Sequence, residues 1–379
     1  MRSWENIMAK YLTVGEKPND KVLMVLGTFD VGGAETFVLN LLRAGEQFDA
    51  ACVIPDHGSY EDEMNALGCR TYHMTRRSVS MIRHHIDLYR IIHENGYKTI
   101  YFHTQNAFLT SLHILVAKLA GAKTIVVHSH NTKDWRDKKA SALHEKSKGF
   151  LYRHSDIRLA CGKDAAEWLF GTDRGVQIIP LPVMCDKFSY SDEKKSLLRK
   201  WYGIPEDTTV YLHVGRFDTV KNHAFLLDVF AAICKKDPKS LLMLAGTGEH
   251  FDEMQVRAKA LGISDKVRFL GLTDKVPDFC ILADKMIFPS LYEGFPTVLL
   301  EAQAAGLPCF VSDTIDKDIE IMPESVKFIS LNKKADAWAE EILLTGNRNE
   351  EERIRIGEKI RDKYDISAVV KELRTAIKR

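Results

Sequence analysis

The chain of 379 residues lacks most of the features that would take it out of the ordinary soluble class. No apolar run reaches the length of a membrane span. The opening MRSWENIMAKYLTVGEKPND has no apolar core of the kind a secretory signal carries. Charge of one sign is not in excess: the net value is +1, so nothing global argues for nucleic acid as a partner. The seven cysteines (Cys52, Cys69, Cys161, Cys185, Cys234, Cys280 and Cys309) are scattered, odd in number and never spaced as CxxC. That excludes a zinc ribbon and a disulfide scaffold, and points to a reducing compartment. There is no short-period repeat and no low-complexity segment. The dinucleotide fingerprint GxGxxG is also missing. The Asp-x-Asp triplet Asp316-Lys317-Asp318 follows a strand and turn late in the chain, and reads as a charged helix start rather than a metal site.

What is present centres on FPSLYEGFPTVLLEAQAAGLP, from Phe288 to Pro308. Met286 to Phe288 reads as a buried strand. Pro296 stands where the first residue of a helix favours proline, and Gly306-Leu307-Pro308 ends that helix. Glu293 then lies on a loop before the helix and Glu301 about one turn inside it. Free N–H groups of Gly294, Phe295 and Thr297 make an anion-attracting helix start. Two flanking carboxylates can accept hydrogen bonds from sugar hydroxyls. The combination suits a ligand with both phosphate and sugar, although an isolated glutamate pair is more often an ordinary surface.

Upstream the chain alternates strands with helices. Val22 to Leu26 reads as a buried strand, followed by GTFDVGGAETFVLNLLRA, in which Gly32-Gly33 precedes an amphipathic helix. Further strands are expected at Ala50–Ile54, Thr99–Phe102, Thr124–His128, Ile157–Ala160 and Val176–Ile179. Helices are expected at Tyr60–Leu67, His84–Asn95, Ala107–Ala120 and Lys163–Phe170. Such alternation means a parallel sheet covered on both faces. Leu181-Pro182-Val183 breaks the pattern as a linker. A second series then begins at Val210–Val214 and ends in helices Lys334–Leu344, Glu350–Tyr364 and Ile366–Ile377. The predicted division is an extension 1–20, a first domain 21–184 completed by the helix 365–379, and a second domain 185–364. The last helix has apolar residues at helical spacing (Ile366, Val369, Val370, Leu373, Ile377) and no place left in the second sheet.

In VGRFDTVKNHAFLLDVF, Arg216 falls just past a strand end and Lys221 just before a helix, placed to hold a diphosphate. Together with EGFPTVLLE, this resembles the retaining glycosyltransferases of family 4, which have the GT-B fold. The resemblance runs from about Val22 to the end. Gly32 to Glu35 (GGAE), LAGTGEH, FLGLTDKVPDF and AQAAGLPCFVSD match other family landmarks. HSHNT, Ser312-Asp313 and LNKKADAW are most similar to the bacterial exopolysaccharide or capsule branch. One departure is at the linker, where many members have Asn-Gly-Ile-Asp and this chain has Leu181 to Asp186 (LPVMCD).

The resemblance implies two Rossmann-like doubly wound domains facing across a cleft, with the final helix returning to the first. It implies a metal-independent hexosyltransferase that moves a sugar from a nucleotide-diphosphate donor, UDP favoured, to a glycan or polyprenyl-diphosphate-linked acceptor. Arg216 and Lys221 would bind the diphosphate. Glu293 would meet hydroxyls of the transferred sugar, and N–H groups from Gly294 onward (Phe295, Thr297) phosphate and sugar. Glu301 would bind ribose, and the main chain at Leu272 and Thr273 the base. Gly32 and Gly33 would approach the phosphates from the other domain, and His128 would lie beside the reacting sugar. His130 is left open. No cofactor or metal is implied, since two cations already face the diphosphate.

From Arg70 to Arg153, fifteen Lys or Arg stand against five Asp or Glu. Arg76, Arg77 and Arg83 flank Val79, Met81 and Ile82. Asn131, Trp135 and Arg136 lie in a second basic stretch. With Glu35 these are the candidates for acceptor or membrane contact, on a cytoplasmic protein peripheral to the inner membrane face. A solvated basic surface explains them equally well. Two other functions remain open: a nucleotide-sugar epimerase or hydrolase of the same shape, and a non-catalytic nucleotide-sugar binder.

Overall fold

The computed structural model describes residues 21–30, 32–54, 56–104, 106–130, 138–293 and 295–377, without the side chains of 138–141. Asn131, Trp135, Arg136 and Gly294 lie outside the described residues. The chain divides into two compact units, one running to Leu181 and rejoined from Val369 onward, the other spanning Pro182–Ala368.

The first unit runs β1 (Val22–Leu26), α1 (Gly33–Arg43), β2 (Asp49–Cys52), α2 (Glu61–Ala66), β3 (Thr71–His73), α3 (Met81–Asn95), β4 (Thr99–Thr104), α4 (Ala107–Leu119), β5 (Thr124–Ser129), α5 (Lys138–His154), β6 (Ile157–Ala160), α6 (Lys163–Phe170) and β7 (Gln177–Ile178). Its sheet has the order β3-β2-β1-β4-β5-β6-β7, and every paired neighbour is parallel. The strands are near-continuous apolar runs because helices cover both faces. Leu23, Val25, Ile100, Phe102, Ile125 and Val127 form one face of the core with Leu88, Ile92 and Ile114 of the helices.

Three elements differ from the sequence reading. β3 was not expected: it is three residues long at the sheet edge and only partly buried, so it carries little hydrophobic pattern. α3 starts at Met81 rather than His84, because the Ser80 hydroxyl caps it by accepting from the Arg83 N–H at 3.2 Å. α5, among the most polar helices of this unit, was not anticipated either.

The second unit runs α7 (Asp192–Trp201), β8 (Thr209–Val214), a 3-10 turn (Thr219–Lys221), α8 (His223–Lys236), β9 (Ser240–Ala245), α9 (Phe251–Ala260), β10 (Val267–Gly271), α10 (Val276–Leu282), β11 (Lys285–Phe288), α11 (Thr297–Ala304), β12 (Cys309–Ser312), β13 (Val326–Ile329), α12 (Ala335–Leu344) and α13 (Glu350–Tyr364). Its parallel sheet is ordered β10-β9-β8-β11-β12-β13. Val183 donates to the Tyr364 carbonyl at 2.7 Å and accepts from the Ile366 N–H at 3.1 Å. The points where the chain enters and leaves this unit are therefore tied together. α14 (Ile366–Ile377) begins here and joins the first unit from Val369 onward, burying Val369, Leu373 and Ala376.

In both sheets strand order reverses once, between β1 and β4 and between β8 and β11. Those switch points open a crevice at the carboxyl ends of the strands, where ligands of open α/β sheets bind.

Close backbone packing sets one demand in the second unit. Gly306 has φ +63, and a Cβ there would lie 2.3 Å from the Arg353 backbone on α13. Gly262 has φ +70 but open space around it. Gly306→Ala should therefore cost about 3 kcal/mol in denaturant unfolding, and Gly262→Ala only about 1. Equal losses at the two sites would count against backbone contact as the reason.

Candidate active site

The second switch point is built from the loops that follow β8 and β11. β8 ends at Val214, and the next residues hold Arg216 out into solvent, with no partner for its guanidinium among the described residues. Phe217 turns back into the core. The Asp218 carboxylate accepts from the Lys221 N–H at 3.1 Å and so caps the short turn that carries Lys221. Asn222 adopts left-handed backbone (φ 56), which reverses the chain into α8, and its side-chain amide donates to the Pro289 carbonyl at 3.2 Å. Leu291 donates to the Val220 carbonyl at 2.8 Å. These bonds fasten the loop after β8 to the loop after β11.

The consequence is direct contact between two predicted residues. The Lys221 ammonium forms an ion pair with Glu293 Oε1 and sits 5.2 Å from the centre of the Phe288 ring. Both side chains are mostly shielded, at 18% and 13% exposure, so water and salt screen the pair less than on an open surface.

Sequence reasoning gave no site role to the glycines of LAGTG. Gly246 (φ +138) and Gly248 (φ +159) lie against the backbone of Gly215 and Phe217, where added Cβ atoms would come within 2.0 and 2.4 Å of the carbonyl oxygens. Phe217 donates to the Thr247 carbonyl at 2.9 Å. The Gly-x-Gly after a strand was the available signal. It shapes the loop that presents Arg216.

Helix α11 starts at Thr297, one residue later than the sequence reading placed it. Pro296 is the cap, with φ −76 and ψ 93. Its extended ψ keeps it outside the helical turn, a correction of one position. Phe295 packs against the core, and Thr297 is half-buried at the helix start. Glu301 lies on α11 with its carboxyl sunk among neighbours, although the residue keeps part of its surface in solvent. Burial pushes its pKa up to about 7, against a weak opposing pull from Lys187. Leu272 is exposed and the Thr273 hydroxyl accepts from the Lys275 N–H at 3.0 Å, so the main chain between them is open on a loop.

In the first unit, a cavity of about 410 Å³ lies at the switch point. Gly27, Thr28 and Glu35 from the β1–α1 side line it, with His103, Asn106 and Thr110 from the β4–α4 side, and Arg77, His113 and His130. Gly32 caps α1 with extended backbone, and Gly33 is its first residue. A Cβ on Gly32 would meet Glu35 Oε2 at 2.3 Å, whereas one on Gly33 would meet nothing. The Glu35 carboxyl thus folds back over its own helix start. Burial pushes its pKa up, and its own N–H and that of Thr28 pull it down.

His128 is fully buried, edge-on to Phe37, with Nδ1 2.8 Å from the Tyr101 hydroxyl. It does not line the cavity; its neighbours His103 and His130 do. Burial drives all three imidazoles toward the neutral form, His130 to a pKa of about 3. His103, which sequence reasoning passed over, sits on a strand whose fifth position carried no motif. Arg76 pairs with Asp56, and Arg83 is exposed on α3. Asp316 accepts from the Asp318 N–H at 2.9 Å, a turn cap as the sequence suggested.

The raised Glu301 pKa has a stability consequence. The folded carboxyl holds its proton up to about pH 7, while the unfolded one releases it near 4.5. Folding therefore takes up a proton between these values, and stability falls as pH rises through that window. Glu301→Gln removes the slope. The variant should match the parent near pH 4.5 and exceed it by about 2 kcal/mol at pH 8, after allowing for partial solvent screening. Parallel stability curves from pH 4.5 to 8 would contradict the assignment.

A family model described as "Glycosyl transferases group 1" matches residues 194–363. The glycosyltransferase EpsF of Bacillus subtilis is 32% identical over 340 residues, covering 85% of this chain and 86% of EpsF. An Escherichia coli enzyme, UDP-Gal:alpha-D-GlcNAc-diphosphoundecaprenol alpha-1,3-galactosyltransferase, is 24% identical over 290 residues, or 72% of this chain and 73% of that one. Among solved structures, Anabaena HepE in complex with UDP superposes with TM-score 0.78 over 94% of this chain and 99% of its own, at 15% identity. WaaG, from lipopolysaccharide biosynthesis, gives 0.64 over 93% and 98%, at 16% identity. Two parallel-sheet α/β units with their reversals at β1/β4 and β8/β11 are thus the GT-B fold, and the extent of the EpsF match makes this chain a glycosyltransferase of group 1.

Proposed function

We propose that this glycosyltransferase is a retaining enzyme of family 4 that moves a sugar from a UDP-sugar to a glycan or polyprenyl-diphosphate-linked acceptor in exopolysaccharide or capsule assembly, without a metal ion on the donor. The observation that carries the reading is the switch point between β8 and β11. There an unpaired guanidinium, Arg216, stands a few residues from an ammonium, Lys221, held in place by Glu293. A departing diphosphate gathers charge in the transition state, and fixed cations stabilise it most where they need not reorganise. Glu301, with a pKa near 7, can both accept from and donate to the hydroxyl pair of a ribose. HepE is seen with UDP and with UDP-glucose, and the Escherichia coli relative is named for a UDP-sugar and a diphosphoundecaprenol acceptor, which favours the same ligand classes here.

In the proposed step the acceptor oxygen bonds to the anomeric carbon on the face that the diphosphate leaves. The carbon–phosphate-oxygen bond breaks, and the hydroxyl proton passes to the departing phosphate. Glu293 holds sugar hydroxyls and is not a nucleophile, being engaged with Lys221. His128 takes no proton in this step; it is buried, and His103 and His130 line the cavity in its place.

Val79 and Ile82, 70% and 76% exposed, project beside Arg77 and Arg83. No helix among the described residues is long and apolar enough to cross a membrane. Apolar residues interleaved with cations instead suit a peripheral contact with anionic lipid on the cytoplasmic face. Ile82→Asp should weaken co-sedimentation with anionic vesicles about tenfold. Unchanged sedimentation would leave the stretch as solvated surface.

Transfer itself is tested with a panel of nucleotide sugars and a membrane extract as acceptor source. Turnover should require acceptor, survive EDTA and give a product with the donor's anomeric configuration by NMR. Arg216→Ala or Lys221→Ala should each cut it by about two orders of magnitude. Acceptor-independent donor consumption would favour a hydrolase or epimerase. Activity restored only by magnesium after chelation would overturn the role given to the two cations.

A further inference from the structure

Three imidazoles meet at the carboxyl edge of the first sheet. His103 is the fifth residue of β4 and His128 the fifth of β5, and the two are register partners. His130 follows β5 by one residue, so strand alternation puts all three side chains on one face of the sheet. None is more than 9% exposed. One ring nitrogen of each lies within 4.8 Å of the others. The ring centres stand 4.1 Å (His128 to His130), 5.1 Å (His103 to His130) and 5.7 Å (His103 to His128) apart.

Their hydrogen bonding is incomplete. His103 Nδ1 faces His130 Nε2 at 2.9 Å, and His128 Nδ1 faces the Tyr101 hydroxyl at 2.8 Å. The other nitrogens, His103 Nε2, His128 Nε2 and His130 Nδ1, are buried with no hydrogen-bond partner among the described residues. A buried polar atom left unpaired costs about 1–3 kcal/mol, and each of the three clustered rings carries one.

The donor set says which kind. Three imidazoles and no oxygen ligand suit zinc and its first-row neighbours, whereas magnesium and calcium want oxygen. Where His128 Nδ1–H donates to Tyr101, Nε2 keeps its lone pair, an outer contact of the kind that orients ligating histidines. The cavity lined by His103 and His130 gives access. Nitrogens around a tetrahedral zinc stand roughly 3.4 Å apart, so from a separation of at most 4.8 Å the widest pair must close by about 1.4 Å at most through ring rotations.

We propose that His103, His128 and His130 form a binding site for a soft divalent transition metal, of the zinc type, that ties the ends of β4 and β5 together. Its three residues belong to the first unit, whereas Arg216 and Lys221 belong to the second. Its failure would leave the transfer reading intact.

The test uses the full chain, stripped with a chelator and titrated with cobalt(II) chloride by visible absorption and with zinc chloride by calorimetry. One equivalent should bind, with the intense visible band of a four-coordinate cobalt ion, and millimolar magnesium should not compete. His130→Ala and His103→Gln should each weaken binding at least tenfold with circular dichroism unchanged. His93→Ala, on the exposed side of α3, should not. X-ray absorption of the wild-type zinc complex counts imidazoles without any substitution, so misfolding of a variant does not decide the matter. Three imidazoles on the metal support the site. Fewer than two, no stoichiometric binding, or full affinity in His130→Ala would overturn it.

Discussion

The ion pair between Lys221 and Glu293 spans the two strands at which the second sheet reverses its order, and most of the surrounding loop structure is arranged to hold it. Neither residue is positioned by its own secondary structure. Lys221 ends a single 3-10 turn, and Glu293 lies on a loop. A flexible lysine on a loop would lose most of its Coulomb gain to side-chain entropy. Here the Asp218 cap, the left-handed Asn222, and the bond from Leu291 to Val220 fix the backbone on both sides before the side chains meet. A non-glycine residue in left-handed backbone costs on the order of 1 kcal/mol, and the Asn222 amide offsets it through the Pro289 carbonyl. Arg216 is treated differently. It is held on a loop moulded by Gly246 and Gly248 and has no side-chain partner among the described residues, whereas Lys221 is already paired with Glu293.

The pattern of strands and helices was legible because parallel strands buried on both faces are continuous apolar runs, and the helices between them carry a clear 3.6 period. β3 escaped because an edge strand of three residues has no face to pattern, and α5 because its hydrophobicity is too low to stand out. In the site, Arg216, Lys221, Glu293 and Glu301 could be named because charge at a strand-to-helix edge is conspicuous. What could not be read was their mutual contact, which depends on two loops distant in sequence. Nor could the packing of the Glu35 carboxyl against Gly32 be read, since nothing in the spacing of GGAE shows that side chain folding back. The histidines posed a different difficulty. His128 and His130 form a visible pair in HSHNT, but His103 comes beside them only through the register of β4 on β5.

The two switch points use the same scaffold for opposite chemistry. That of the second unit carries an exposed guanidinium, Arg216, and an ammonium, Lys221, held by Glu293. That of the first unit is lined by groups that burial keeps uncharged: His103 and His130 as neutral imidazoles, and Glu35 biased toward its protonated form. A neutral imidazole and a carboxylic acid each offer a donor and an acceptor, and a neutral imidazole also keeps a lone pair that a metal can take. The two switch points therefore differ in the charge of the groups that line them. Burial of His103 and His130 is what keeps that part of the first unit's lining neutral, because imidazoles in solvent gain charge below about pH 6.5.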